Sequence, residues 1–355
     1  ILSDRISFLT INLKLIVKKD IRSLSIDQLK EILEQNSFQS FRAKQIYHWL
    51  WKRSSHDFSS MHNLPKKLLT FLENNFIIRN IEISNQQKSK DGTIKNAIKL
   101  FDDLIVECVL IPSKDRITAC VSSQVGCSLN CKFCATARLK RMRNLNADEI
   151  YDQVVLIAKQ SQDFYKRPLT NIVFMGMGEP LMNYKNVTKA IEMITSKEGL
   201  GMSSKRIVLS TSGVPKMIKK MADDNVKFKL AVSLHSAVDE TRTSIMPFNA
   251  KMDLTDLGNS LEYWYDKTKS LVTYEYVVWE GVNDKEEDIN ALVNFCKKIP
   301  SKVNLIQYNS IDDPNFVQAS NKTLSKYISL LEKNNITATI RTVSYTHLRA
   351  HETDR

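Results

Sequence analysis

Between Ile117 and Arg341 the chain alternates strand-like and helix-like runs, and this alternation restricts the fold more than any other feature of its 355 residues. Strand-like runs lie at Ile117–Ser122, Asn171–Met175, Arg206–Ser210, Lys227–Ser233, Val272–Trp279, Val303–Tyr308 and Ile336–Arg341. Helical patterns fill the gaps: Asn146 caps one through Gln160, another starts near Tyr184, and one follows Gly213 through Met221. Others cover Thr255–Lys267, residues 284–298 and Thr323–Lys333. Strands joined this way run parallel, with right-handed crossovers. Six full units, rather than eight, predict an α/β fold built as an open, TIM-like partial (β/α)6 barrel. Its active site belongs at the C-terminal ends of the strands. The distinctive polar groups fall there: the cysteines after Ser122, Gly178 with Glu179, Ser210, Ser233 with His235, and Asn309.

Four of the six cysteines lie between Cys120 and Cys134. Cys127, Cys131 and Cys134 are spaced C-x3-C-x2-C, which lets a loop turn three thiolates toward one point. Tetrahedral zinc wants four ligands, and no fourth Cys or His stands at a zinc-finger spacing. Three thiolates on a [4Fe–4S] cluster leave one iron open to a small molecule, which makes the cluster a catalyst rather than an electron wire.

Six cysteines in a chain this long do not make a secreted disulfide framework, and an oxygen-sensitive cluster favours a reducing cytoplasm. No apolar run reaches membrane-spanning length. Residues 6–17 come nearest, but Asn12 and Lys14 interrupt them and no small-residue cleavage site follows. The net charge of +12 points to a polyanionic partner, most simply nucleic acid. Residues 1–80 carry thirteen Lys and Arg against seven Asp and Glu, half of that excess. Within them, residues 20–76 read as a helical module. Ser25 caps a helix over Ile26–Gln35, Phe41–Arg53 forms a second, and Pro65 starts a third through Leu72. Basic residues interleaved with Tyr47, Trp49 and Trp51 suit phosphate contact and base stacking. Ile81–Ile83, Thr93–Phe101 and Leu104–Ile111 read as strands with hairpin turns at Asp91-Gly92 and Asp102-Asp103, giving a small linker sheet. The expected divisions are an N-terminal extension (1–19), the basic RNA-binding module (20–80), the β linker (81–116), the core (117–342) and an ending of different character (343–355).

Phe133 directly before Cys134 makes the cysteine loop resemble that of the radical S-adenosylmethionine (SAM) superfamily. Five further stretches, Cys120-Val-Ser-Ser-Gln-Val-Gly-Cys127, Met175-Gly-Met-Gly-Glu-Pro-Leu181, Leu209-Ser-Thr-Ser-Gly213, Ser233-Leu-His235 and Asn304-Leu-Ile-Gln-Tyr-Asn309, together resemble the adenine-C2 RNA methyltransferases of that superfamily. Asp20-Ile-Arg-Ser-Leu and Phe41-Arg-Ala-Lys-Gln-Ile resemble their N-terminal domain, and the likeness runs from about residue 20 to about 342. The resemblance implies a [4Fe–4S] cluster on Cys127, Cys131 and Cys134. It implies SAM contacts at Gly178, Glu179, Ser210, Ser233, Leu234, His235 and Asn309. Glu107 matches the family's proton acceptor, and Cys120 the cysteine that resolves a covalent protein–RNA intermediate, leaving a disulfide. The implied substrates are one adenosine in the peptidyl-transferase centre of 23S rRNA and the adenosine 3′ of the anticodon in certain tRNAs. An electron donor such as flavodoxin or ferredoxin and a monomeric state complete the expectation.

Carbon 2 of adenine is electrophilic and its hydrogen is not acidic, so attack on a SAM methyl group needs radical help. In the family a cysteine near the C-terminus first accepts a methyl group. A radical from a second SAM then activates that methyl for addition to the ring. Here no cysteine follows Cys296, and residues 342–355 show neither helical nor strand periodicity. They read like translated adapter sequence, so the chain as written is expected to lack its methyl carrier. Cys108 and Cys296 read as packing residues. Competing readings are a carbon-8 methyltransferase of the same branch, a radical SAM enzyme on a small metabolite, and an RNA-binding protein with a structural cluster.

Overall fold

The computed structural model of the protein describes residues 18–308 and 316–341. The expected N-terminal extension up to residue 17, the candidate Asn309 and the ending after Arg341 lie outside the described residues. The chain divides into two compact units, with the boundary after Arg79.

In the first unit β1 (Lys19–Asp20) pairs in parallel with β2 (Phe76–Ile77), and three helices lie between them: α1 (Ile26–Gln35), α2 (Arg42–Tyr47) and α3 (Lys66–Asn75). α1 starts where expected because Ser25 and Gln28 form a reciprocal cap. Gln28 N–H donates to Ser25 Oγ at 3.1 Å, and Ser25 N–H donates to Gln28 Oε1 at 2.9 Å. Leu29 and Leu33 then fall on its buried face. The helix expected over Phe41–Arg53 is not one regular helix. After Tyr47 it widens into a π-type turn, His48–Lys52, closed by Arg53 N–H on the His48 carbonyl. Bulky rings at His48, Trp49 and Trp51 crowd a regular turn, and the wider turn accommodates them. Trp51 is wholly buried, so it is core and not a stacking platform. Trp49 is half-buried and donates to Asn63 Oδ1 at 2.6 Å. Arg22 is likewise structural: Asp20 lies 3.7 Å away, and Arg22 donates to the Arg79 carbonyl. Lys44, Lys52, Arg53, Lys66 and Lys67 remain exposed, as does Phe41, whose ring carries the Arg42 guanidinium at 4.7 Å.

In the second unit β3 (Glu82–Lys88), β4 (Ile94–Lys99) and β5 (Ile105–Pro112) form an antiparallel meander, and β5 continues antiparallel onto β6 (Ile117–Cys120). β7 (Gln124–Val125) and β8 (Arg143–Asn144) make a two-stranded clasp. There follow α4 (Ala147–Tyr165), β9 (Asn171–Phe174), α5 (Tyr184–Thr195), β10 (Ile207–Thr211), α6 (Pro215–Asp223), β11 (Lys229–Ser233), α7 (Asp239–Ile245), α8 (Leu254–Thr268), β12 (Val272–Val278), α9 (Glu286–Cys296), β13 (Ser301–Gln307), α10 (Asn321–Lys333) and β14 (Thr337–Arg341). The sheet order is β14-β13-β12-β11-β10-β9-β6-β5-β4-β3. β6 and β9 to β14 are parallel, each joined to the next through helix, as the alternation predicts.

The expected small linker sheet is not separate. β3 to β5 extend the same ten-stranded sheet beyond β6. Pairing is a non-local property, and β6 has a free edge that β5 reaches through the tight Ser113–Arg116 turn. The sheet remains open between β3 and β14 but curls strongly. Arg341, the last residue of β14, places Nη1 3.3 Å from Sδ of Met175, just past the end of β9. This is the partial barrel, and its interior is the face on which the site lies.

Candidate functional site

The parallel strands enclose a cavity of about 680 Å³. It is lined by Cys127, Cys131 and Cys134, by Gly178 and Glu179, and by Ser210, Ser233 and His235, which leave the ends of successive strands. Four strand-end motifs scattered over about a hundred residues of sequence thus reach one chamber.

The cysteine loop leaves β7 through Gly126, whose φ of +72° suits glycine; a Cβ there would sit 2.4 Å from the Lys140 carbonyl. Lys132 N–H donates to the Ile245 carbonyl at 3.0 Å and Cys134 N–H to the Cys131 carbonyl at 3.1 Å. Phe133 wedges the loop against His235 (4.8 Å between ring centres) and Trp279 (5.0 Å). Leu129, Met246, Val277 and Tyr308 continue this apolar packing. Burial pushes the Cys127 and Cys131 thiols up, and the neighbouring thiols push the same way. Such thiols keep their protons until a metal displaces them. Among the described residues no three His, Cys, Asp or Glu side chains converge on a single ion. A cubane needs no such convergence, because each thiolate meets its own iron. Three thiols on one wall of a roomy, apolar-backed cavity therefore suit a cluster with one iron open to the chamber.

Glu179 is buried, and its carboxylate takes three donors: Thr211 Oγ1 at 2.7 Å, Ser212 N–H at 2.7 Å and Leu181 N–H at 3.0 Å. Burial raises its pKa, and these bonds partly offset the shift. Oε2 takes the Ser212 N–H, the Ser212 side chain also favours the charged carboxylate, and the two oxygens together still have lone pairs for a further donor. Gly178 has φ +92°, and a Cβ would lie 2.4 Å from that of Gln124, so backbone alone fits there. The Ser210 and Ser233 hydroxyls bond to no described residue. Leu234 differs from the others: its side chain is buried away from the cavity, its N–H donates to the Glu275 carbonyl at 3.0 Å and its own carbonyl accepts from Arg242. It shapes the site through backbone only. His235 sits at φ +56°, and its Nδ1 accepts from Val277 N–H at 3.2 Å, which leaves the proton on Nε2. Burial lowers its pKa to about 3, so the ring is neutral.

Cys120 and Glu107 do not line the chamber, yet they share its face of the sheet. Val109 pairs with Cys120, which pairs with Val173, a lining residue; Glu107 lies two residues from Val109 on the same face. Cys108 points the other way, where Asn96 reaches α4 through Gln160 at 3.0 Å, and Cys296 is buried on α9; both are packing residues as expected. Burial pushes the Cys120 thiol up to about 11, with Arg341 pulling against it. Glu107 accepts from the buried Lys95 at 2.8 Å.

Three site residues escaped sequence reading. Arg242, on the unforeseen α7, is fully buried and donates to the carbonyls of Leu234 (3.1 Å), Ser212 (2.6 Å) and Ser233 (3.4 Å). It ties the ends of β10 and β11 together, and burial holds its pKa down to about 10. Asn283 donates to the carbonyls of His235 (2.7 Å) and Val277 (2.9 Å), fixing the strained His235 backbone. Glu275 lines the chamber from β12. Their signal is tertiary, and no local spacing marks them.

An open βα barrel with three cysteines on the loop after its first strand defines a radical SAM enzyme, and residues 121–293 match the family model described as "Radical SAM superfamily". Residues 19–78 match "Ribosomal RNA large subunit methyltransferase N-terminal domain". The probable dual-specificity RNA methyltransferase RlmN of Flavobacterium johnsoniae is 60% identical over 326 residues, covering 92% of this chain and 93% of that protein. A protein of the same description from Christiangramia forsetii is 61% identical over 324 residues, covering 91% and 92%. The crystal structure of a radical SAM methyltransferase from Sphaerobacter thermophilus superposes with a TM-score of 0.87 at 33% identity, covering 93% of this chain and 97% of that one. The chain belongs to the RlmN family of radical SAM RNA methyltransferases. Among the described residues no helix is long and apolar enough to cross a membrane.

Proposed function

We propose that the protein methylates carbon 2 of adenosine in 23S rRNA and in tRNA next to the anticodon. The observation that carries this reading is the convergence of the three loop cysteines, Glu179, Ser210, Ser233 and His235 on one chamber. Cys127, Cys131 and Cys134 hold a [4Fe–4S] cluster, and SAM occupies the chamber. When bound, cluster and SAM together supply the radical that activates an inert methyl group.

The chain's own residues do the rest. Glu179 accepts from the SAM amino group through its remaining lone pairs. Ser210 and Ser233 offer hydroxyls, and neutral His235 offers Nε2–H without adding charge. Asn309 joins them as a further SAM contact. The apolar backing of Phe133, Trp279 and Tyr308 excludes water from the chamber. Glu107, oriented by Lys95, takes the proton lost from the ring carbon. Cys120 would attack the sulfur of the carrier cysteine, forming a disulfide as that sulfur's bond to the adenine-bound carbon breaks, and its raised pKa means that the thiol must give up its proton as it attacks. The exposed cations of the basic module (residues 20–80) grip RNA phosphates, and the target base leaves its stack to reach the chamber. A flavodoxin- or ferredoxin-type donor supplies the electron. The protein works as a monomer in the cytoplasm.

The reaction also needs a carrier thiol, and no cysteine follows Cys296 in this sequence. With a family-like cysteine-bearing ending joined after Arg341, the protein should form 2-methyladenosine in RNA, and with that cysteine changed to alanine it should not. Mass spectrometry of adenosine from RNA treated with each version tests this. Methyladenosine from the alanine version would overturn the carrier assignment.

A further inference from the structure

One buried carboxylate oxygen on the chamber wall makes no hydrogen bond among the described residues. It is Oε2 of Glu275, which is buried on β12. Buried polar atoms in folded proteins nearly always bond something, so an orphan on a cavity wall marks a missing partner. The carboxylate is not loose. Asn304 Nδ2 donates to Oε1 at 2.8 Å, and Asn304 Oδ1 accepts from Thr339 Oγ1 at 2.8 Å. This chain across β12, β13 and β14 fixes the carboxyl plane and leaves Oε2 as the presented oxygen. Arg341 lies 3.7 Å from Oε2, close enough to balance charge but too far to hydrogen-bond. Lys302, also on the chamber wall, adds a second favourable charge.

The sheet register places Glu275 among the candidate SAM contacts. Ser233 pairs with Glu275, Glu275 with Asn304 and Asn304 with Thr339, so one inward layer carries all four. In the sheet, β9, β10 and β11 separate β12 from β6, which feeds the cysteine loop. Val277, one inward layer above Glu275 on β12, packs against the cysteine loop, so Glu275 lies on the part of the wall that runs deeper than the cysteines. If the amino-acid end of SAM is at the cysteine loop, its nucleoside end faces this wall. A carboxylate only accepts, and the acceptor-seeking group it best matches there is the ribose diol, as carboxylates do for riboses elsewhere.

We infer that Glu275 is a further SAM-binding residue whose Oε2 accepts from the ribose hydroxyls. This rests on the reading of the chamber as the SAM site. The test is equilibrium binding of SAM and of its 2′- and 3′-deoxyribose analogues to anaerobically reconstituted protein. The unaltered chain should bind the deoxy analogues roughly 10- to 100-fold more weakly than SAM, the range for a hydrogen bond to a charged group. Glu275→Ala should weaken SAM by a similar factor and no longer distinguish SAM from the deoxy analogue. Glu275→Gln keeps an acceptor for Asn304 and the same shape, and should show the same loss of discrimination with cluster content unchanged. Indifference of the unaltered chain to the ribose hydroxyls would overturn the assignment without any variant. So would Glu275→Gln that still discriminates, or a loss traced instead to an analogue lacking the adenine amino group. Failure of the unaltered chain to bind SAM at all would instead sink the reading of the chamber itself.

Discussion

One cysteine on a strand and three on the loop after it sit within fifteen residues of each other and face different surroundings. The loop thiols of Cys127 and Cys131 are raised by burial and by the neighbouring Cys134 and Glu179, with Arg242 pulling against the shift at Cys131. Cys120, on β6, is raised by burial but feels the Arg341 guanidinium. Burial dominates at both places, and a guanidinium opposes it at each, Arg242 at Cys131 and Arg341 at Cys120; what differs is that the loop thiols stand together on the chamber wall while Cys120 stands alone on its strand. On the function proposed above, one residue type serves two purposes, and strand register and loop geometry decide which.

The sharpest way to break this contrast is to exchange the groups. Cys131→Ala should lower bound iron and sulfide roughly tenfold or more, since even removing an outer partner of a metal ligand costs that much. Cys120→Ala should leave both unchanged. Equal losses in elemental analysis of the two variants would erase the distinction. Next in size, Arg242→Met removes the donor that the carbonyls at the ends of β10 and β11 share. It should destabilise the fold by about 2–4 kcal/mol in denaturant unfolding, because several buried acceptors lose their partner. A change below ~0.5 kcal/mol would show that water replaces the guanidinium easily.

The pH dependence separates the two settings further. His235 has a folded pKa of about 3, below its unfolded value, so neutral His235 contributes stability present above about pH 6.5 and lost as pH falls toward 3. Cys120 runs the opposite way. Its folded pKa of about 11 exceeds the unfolded value, so its contribution is complete below about pH 9 and lost as pH rises through 11. His235→Gln should flatten the acid limb of a stability–pH curve and Cys120→Ala the alkaline limb. Unaltered limbs would show that other groups control them. The smallest effect is expected outside the barrel. Lys52→Ala in the first unit should lower the salt slope of RNA binding by about one, with SAM binding unchanged. An unchanged slope would remove Lys52 from the phosphate contacts.

The barrel was legible because its strands and helices announce themselves by period, and its site because chemistry-bearing residues cluster in short motifs at strand ends. Ser25 with Gln28 and Asn146 with Glu149 are equally local, so the starts of α1 and α4 could be read directly. What was hidden depends on distant partners. The meander of β3 to β5 looked like a linker because hairpin signals say nothing about which sheet a hairpin joins. Arg242 and Asn283 act through backbone carbonyls up to 48 positions away. Glu275 sits in an apolar strand whose inward layer becomes apparent only from the register with Ser233 and Asn304. Trp51 has the look of a stacking residue, but its burial follows from the packing of the whole first unit.

The central claim is that the three loop thiols hold a cluster with one iron open to the SAM chamber. Electron paramagnetic resonance of the reduced, reconstituted protein, recorded with and without SAM, tests it most directly. The account predicts a [4Fe–4S] signal that changes on adding SAM in the unaltered chain and in Cys120→Ala, and that is absent in Cys131→Ala. A cluster signal indifferent to SAM, or one that survives in Cys131→Ala, would contradict it.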